Sequence, residues 1–92
     1  MIDLNSKLVA SSNQISTEMP NETVILDVVN GIYYGLDEVG TFIWNQVQSP
    51  QTVQSLVEAL LDEYDVTVDQ AQRDAVRLLS ELQGIGLVHV VA

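Results

Sequence analysis

The chain has 92 residues, with 13 acidic and 3 basic side chains and a formal net charge of −10. That length makes one domain, residues 1–92, able to bury a core unaided; without cysteine it holds no disulfide, thiol nucleophile or zinc knuckle. So acidic a chain repels polyanions at long range, which argues against nucleic acid and anionic membranes and for a neutral, apolar or basic partner such as a peptide or protein.

At 47% hydrophobic residues the chain is too apolar for a disordered tail. Its longest apolar run is too short to span a bilayer. Met1 to Ala10 has one lysine and no apolar core of signal-peptide length, so the expected compartment is the cytoplasm.

The first strand candidate is Lys7 to Ser11 or Gln14 to Met19, with Ser12-Asn13 as a turn between them. Pro20-Asn21 breaks the chain. Thr23 to Val29 is a strong strand, mostly β-branched. Asn30-Gly31 follows and reads as a two-residue type I′ hairpin, with Ile32-Tyr33-Tyr34 returning. In that register Val29 opposes Ile32, Asp27 opposes Tyr34, and the face of Tyr34 is partly wet.

Asp37 is a good N-cap for a first helix, with Glu38 at the positive end of its dipole. Val39, Phe42, Ile43 and Val47 fall on one stripe, Trp44 lies beside it, and Ser49-Pro50 ends the helix. A second helix, capped by Thr52, buries Val53, Leu56, Val57, Leu60, Leu61 and Tyr64. A third opens with the capping-box pattern Thr67-x-x-Gln70 and buries Val68, Ala71, Ala75, Leu78, Leu79 and Leu82. Gly84 is placed as its left-handed C′ residue, with Ile85 as the apolar partner of that cap. Leu87 to Val91 closes the chain as a short strand. The expected fold class is α+β: a winged helix-turn-helix with an N-terminal three-stranded antiparallel sheet, three α-helices and a short C-terminal strand.

Chemistry has few candidates. His89, the one histidine, sits on the terminal strand with no partner near in sequence and reads as a surface residue. Asp62, Glu63 and Asp65 lack the spacing and glycine of a calcium loop and read as solvated charges. The glycines form no phosphate cradle. No catalytic residue, metal site or cofactor is expected. Two features remain. Arg73 and Arg77 lie one turn apart on the third helix, with Val76 and Ser80 beside them. They form either a solvated face paired with Asp69, Asp74 and Glu81 or a strip that anchors a partner's carboxylates. The return strand of the hairpin, if it is an edge, can pair with an extended peptide; if it is covered by the first or last strand, it cannot.

Val24-Ile25-Leu26-Asp27, then Gly31 through Gly40, then Ile43-Trp44 resemble the PqqD-like family, as do Thr52 to Val66 and Leu78 to Val88. The resemblance implies a non-catalytic element that binds the leader segment of a ribosomal precursor peptide and delivers it to modifying enzymes. It favours the lasso-peptide branch, where the partner is a leader peptidase and a cyclase. It further implies that the leader adds as a strand to residues 31–36 and lies in a groove against the helix over 68–83. The expected peptide-binding residues are Ile32, Tyr33, Tyr34, Arg73, Val76, Arg77 and Ser80. Phe42 and Trp44 are assigned to the core. The competing readings are a winged-helix DNA-binding regulator, which the charge opposes, and a general protein-interaction adaptor.

Overall fold

The computed structural model describes residues 2–91; Met1 and Ala92 lie outside them. In chain order the elements are β1 (Lys7–Ala10), β2 (Gln14–Met19), β3 (Glu22–Asp27), β4 (Ile32–Leu36), α1 (Glu38–Gln46), β5 (Gln51–Thr52), α2 (Val53–Glu63), α3 (Val68–Gly84) and β6 (Val88–Val91). Both candidates for the first strand form, and they join different sheets. One sheet runs β5-β1-β6, the other β2-β3-β4, and every pairing is antiparallel. The architecture is therefore α+β with two three-stranded sheets, where one N-terminal sheet was expected.

The first sheet ties distant parts of the chain together. Leu8, fully buried, sits on its central strand. Around it, Val53 and Gln54 donate backbone N–H groups to Ser6 and Leu4, Ala10 donates to Val47, and Ser11 donates to Leu87. The N-terminal segment thereby pins the link between α1 and α2 as well as the C-terminal strand.

The second sheet is a meander with two unlike turns. Between β2 and β3, Pro20-Asn21 makes a two-residue turn closing on the pair Met19 and Glu22, with Asn21 at φ 60. Proline first and a left-handed residue second is the type II arrangement. Between β3 and β4 the expected two-residue turn is replaced by a four-residue loop: Asp27, not Val29, pairs with Ile32, and Tyr34 faces Ile25. The cause is the Asp27 carboxylate. Its Oδ1 accepts the N–H groups of Val29 and Asn30 at 3.0 and 3.2 Å, and its Oδ2 accepts Asn30 Nδ2 at 2.8 Å. The Gly31 N–H donates to the Asp27 carbonyl at 2.7 Å, with Gly31 alone in the loop at positive φ. A type I′ turn would need Asn30 there as well.

All three helices start where side-chain chemistry starts them. Asp37, Thr52 and Thr67 accept the N–H groups of Gly40, Ser55 and Gln70. The capping box at Thr67 is half formed, because the Gln70 amide bonds Asp74 instead of reaching back. The end of α3 differs from expectation by two residues. Gly84 is still helical and Gly86 carries the positive φ, at 80. Gly86 donates to the Gln83 carbonyl and Leu87 to the Leu82 carbonyl, the bond pair of a Schellman cap. The apolar partners of that cap are the buried Leu82 and Leu87, not Ile85, which is exposed. The core gathers Ile25 and Leu36 from the second sheet, Ile43 and Trp44 from α1, the stripe of α2, and Ala71, Ala75, Leu79 and Leu82 from α3. Val68, assigned to that stripe, is 55% exposed in the first turn of α3; Phe42 is half-buried and packs edge-on against Tyr64, ring centres 5.6 Å apart.

Candidate functional site

Among the described residues β4 pairs only with β3, so its other edge is open. Alternation decides which backbone groups face outward. The two-residue turn places a hydrogen-bonded pair at Met19 and Glu22, so Glu22, Val24 and Leu26 turn their N–H and C=O groups toward β2. Thr23, Ile25 and Asp27 then bond β4 through Leu36, Tyr34 and Ile32. That leaves the backbone groups of Tyr33 and Gly35 pointing away from the sheet. No charged side chain guards the strand, which reads Ile-Tyr-Tyr-Gly-Leu.

Side chains of β4 alternate between two faces. Ile32, Tyr34 and Leu36 share the inner face with the buried Thr23, Ile25 and Asp27. This face looks onto α3 across a groove. Two cavities flank Tyr34 along it. One, of about 410 Å³, lies toward α1 and is lined by Leu36, Asp37, Val39, Gly40 and Ile43 together with Asp74, Arg77, Leu78 and Glu81 of α3. The other, of about 480 Å³, lies toward the end of α3 and is lined by Asp27, Asn30, Ile32, Gly84, Ile85 and Leu87. The Tyr34 hydroxyl donates to Glu81 Oε2 at 3.0 Å, a strap from β4 to α3 between the cavities. Burial, with the bond to Glu81 and its charge, raises the Tyr34 hydroxyl above the usual tyrosine pKa; Arg77 pulls weakly the other way.

The seven expected site residues separate. Ile32, Tyr34 and Arg77 border the groove. Tyr33 lies on the opposite face of the sheet, 70% exposed beside Leu26. Arg73, Val76 and Ser80 sit round α3 from the face that lines the cavity, which is Asp74, Arg77, Leu78 and Glu81. Both arginines meet acids of their own helix: Arg73 lies 3.2 Å from Asp69 and Arg77 3.8 Å from Asp74. Leu78, expected in the core, packs partly buried against it and also lines the first cavity. Ile85, expected as the apolar partner of the cap, lines the second. The spacing 74, 77, 78, 81 is the pattern that marks this second helical face. His89 is exposed on β6, in the other sheet, and Asp62, Glu63 and Asp65 are exposed where α2 ends.

Residues 22–88 match the family described as Coenzyme PQQ synthesis protein D (PqqD). They contain β3, β4, all three helices and both cavities. No curated protein matches the sequence. Among solved structures, TbiB1 in complex with the TbiA(beta) leader peptide superposes with a TM-score of 0.83 at 30% identity, over 91% of this chain and 98% of that one. A lasso peptide synthetase B1 complexed with its leader peptide shares the fold, with a TM-score of 0.78 at 21% identity over 89% of this chain and 96% of that one. With the match running through both walls of the groove, the chain belongs to the PqqD family.

Proposed function

We propose that this protein is a recognition element for the leader segment of a ribosomally made precursor peptide, in a lasso-peptide pathway, and that it works by binding alone. The observation that carries this reading is the open, uncharged β4 edge backed by a groove against α3. Its family membership and its similarity to TbiB1, solved with a leader peptide, support it. An extended leader adds to β4 through the backbone groups of Tyr33 and Gly35, which hold any sequence. Alternate leader side chains turn inward, onto Ile32 and Tyr34 on one wall and Arg77 on the other. Arg73, Val76 and Ser80 meet whatever part of the leader extends round α3, and the Tyr33 ring lies along the outer side of the added strand. In this reading β3 and β4 are the wing of a winged helix-turn-helix. The loaded complex is then handed to the leader peptidase or another modifying enzyme.

The test is a fluorescence-anisotropy titration with the labelled leader of the precursor encoded beside this protein. Saturable binding in the micromolar range or tighter, lost with a scrambled leader, is expected. A folded sample that binds neither peptide overturns the reading.

A further inference from the structure

The two cavities beside Tyr34 differ in chemistry, and that difference constrains the peptide. The cavity toward the end of α3 has Ile32, Ile85 and Leu87 in its walls, no cation, and one carboxylate, Asp27, both of whose oxygens are taken up by the β3–β4 loop. The cavity toward α1 holds three carboxylates, Asp37, Asp74 and Glu81, against the one guanidinium of Arg77. Resting on the leader-binding reading, we infer that the peptide on β4 is a cationic, amphipathic strand: it turns an apolar side chain into the first cavity and a lysine or arginine into the second.

The carboxylates are already oriented. Asp37 Oδ1 accepts the Gly40 N–H at 2.8 Å, Asp74 Oδ1 accepts Gln70 Nε2 at 2.9 Å, and Glu81 Oε2 accepts the Tyr34 hydroxyl at 3.0 Å. Each bond fixes one oxygen and leaves the other for a ligand, so little side-chain freedom is lost on binding. Arg77 does not balance them. Its side chain is 71% exposed, and its contact with Asp74 is long, at 3.8 Å. Asp37 is partly offset by the α1 dipole it caps, which leaves Asp74 and Glu81 as the main receivers.

The walls supply the second half of the argument. Leu36, Val39 and Leu78 line the same cavity. An apolar slot with acids along it fits the side chains of lysine and arginine, which lay a hydrocarbon stem along apolar surface and keep a charged head at a polar rim. A leader acid at this position would face three like charges instead. Ile32, Tyr34 and Leu36 are successive inner-face positions, so an added strand presents inward side chains at the same two-residue spacing, roughly 7 Å apart. One strand therefore reaches both cavities, past the Tyr34 ring. The net charge of −10 steers a cationic peptide toward the site before contact.

A mutant cycle tests this. Each lysine and arginine of the leader is replaced in turn by methionine, and each peptide is titrated against the wild-type protein and against the double variant Asp74→Asn, Glu81→Gln. Both substitutions keep shape and hydrogen bonding, and thermal unfolding followed by circular dichroism checks the fold. One leader position is expected to lose about tenfold in affinity against wild type and less than twofold against the double variant, whose own affinity for the native leader is about tenfold weaker. The inference is overturned if the leader binds wild type but no basic position couples to the two acids. It is equally overturned if the double variant binds more tightly, or if the leader holds no basic residue and still binds. A leader that fails to bind wild type at all sinks the recognition reading itself, a separate result.

Discussion

The sheet β2-β3-β4 has two edges of similar length, and only one is built to receive a strand. On β2 the inner face is polar: Gln14, Ser16 and Glu18. Glu18 accepts a hydrogen bond from Asn45 of α1 at 2.6 Å, which holds a charge inward at the edge, one of the ways proteins block strand addition. On β4 the inner face is Ile32, Tyr34 and Leu36, no charge intervenes, and α3 stands behind a groove. Both edges offer unpaired backbone, so backbone alone does not make a site. What distinguishes β4 is the wall that gives inward-facing peptide side chains somewhere to go.

Proline substitution breaks the comparison most sharply. By the same alternation that sends the Tyr33 N–H outward, the Ser16 N–H leaves β2 on its open side. Neither donor serves the ladder, so proline is tolerated at both places. Tyr33→Pro is expected to weaken leader binding by about 100-fold or more, and Ser16→Pro to leave it unchanged. Circular dichroism should show both folded. Equal loss at both sites, or at neither, would end the distinction between the edges.

A matched pair of side chains sharpens it. Ile15 on β2 and Ile32 on β4 are each 60% exposed, so replacing either with serine costs the fold little. Ile32 lines the apolar cavity and Ile15 lies on the other face of the sheet. Anisotropy titrations should give a loss of roughly five- to tenfold for Ile32→Ser and none for Ile15→Ser, about the value of one buried aliphatic contact.

Most of this contrast is legible in the sequence, and the failures have local causes. The three caps, the α2 stripe and the buried Trp44 follow from patterns the residues carry themselves. The β3–β4 register does not, because Asn30-Gly31 advertises a tight turn while Asp27, three residues before Asn30, takes over the loop. The error is a slip of two residues, which preserves the alternation of faces. Asp27 and Tyr34 accordingly share a face, as the sequence indicates, although they are not opposite one another. Which tyrosine looks into the groove depends on where α3 lies, and that is tertiary. The same holds for the split into two sheets: nothing local in Lys7 to Ala10 tells that β6, some eighty residues on, is its partner.

The turns at the two ends of β3 separate stability from binding. Asn21 and Gly31 both occupy positive φ, at 60 and 68. Alanine at either position is strained by about 1 kcal/mol or somewhat more, read in urea unfolding. Only Gly31→Ala should also weaken the leader, by about two- to threefold, because its loop sets the start of β4. Asn21→Ala should leave affinity alone despite a similar loss of stability. Parallel losses of affinity in the two variants would mean that the β4 edge responds to sheet stability as a whole.

The smallest effect comes from protons. The side-chain bond from Asn30, then the N–H groups of Asn30 and Val29, hold the Asp27 carboxyl below its usual value of 3.8 against the opposing effect of burial. With the folded value below the unfolded one, the carboxylate stabilises the loop fully above the unfolded value and loses that role as pH falls through the folded one. The other turn has Pro20 and Asn21 in its loop, and neither ionises. Acidification below about pH 4 should therefore lower the amide-exchange protection of Val29, Asn30 and Gly31, measured against the intrinsic rate at each pH, before that of Glu22 and Thr23. Asp27→Asn should remove the pH dependence while leaving a looser loop at all pH values. A uniform loss of protection across both turns would show that the sheet opens as one unit, and that the β4 edge gains no order of its own from Asp27.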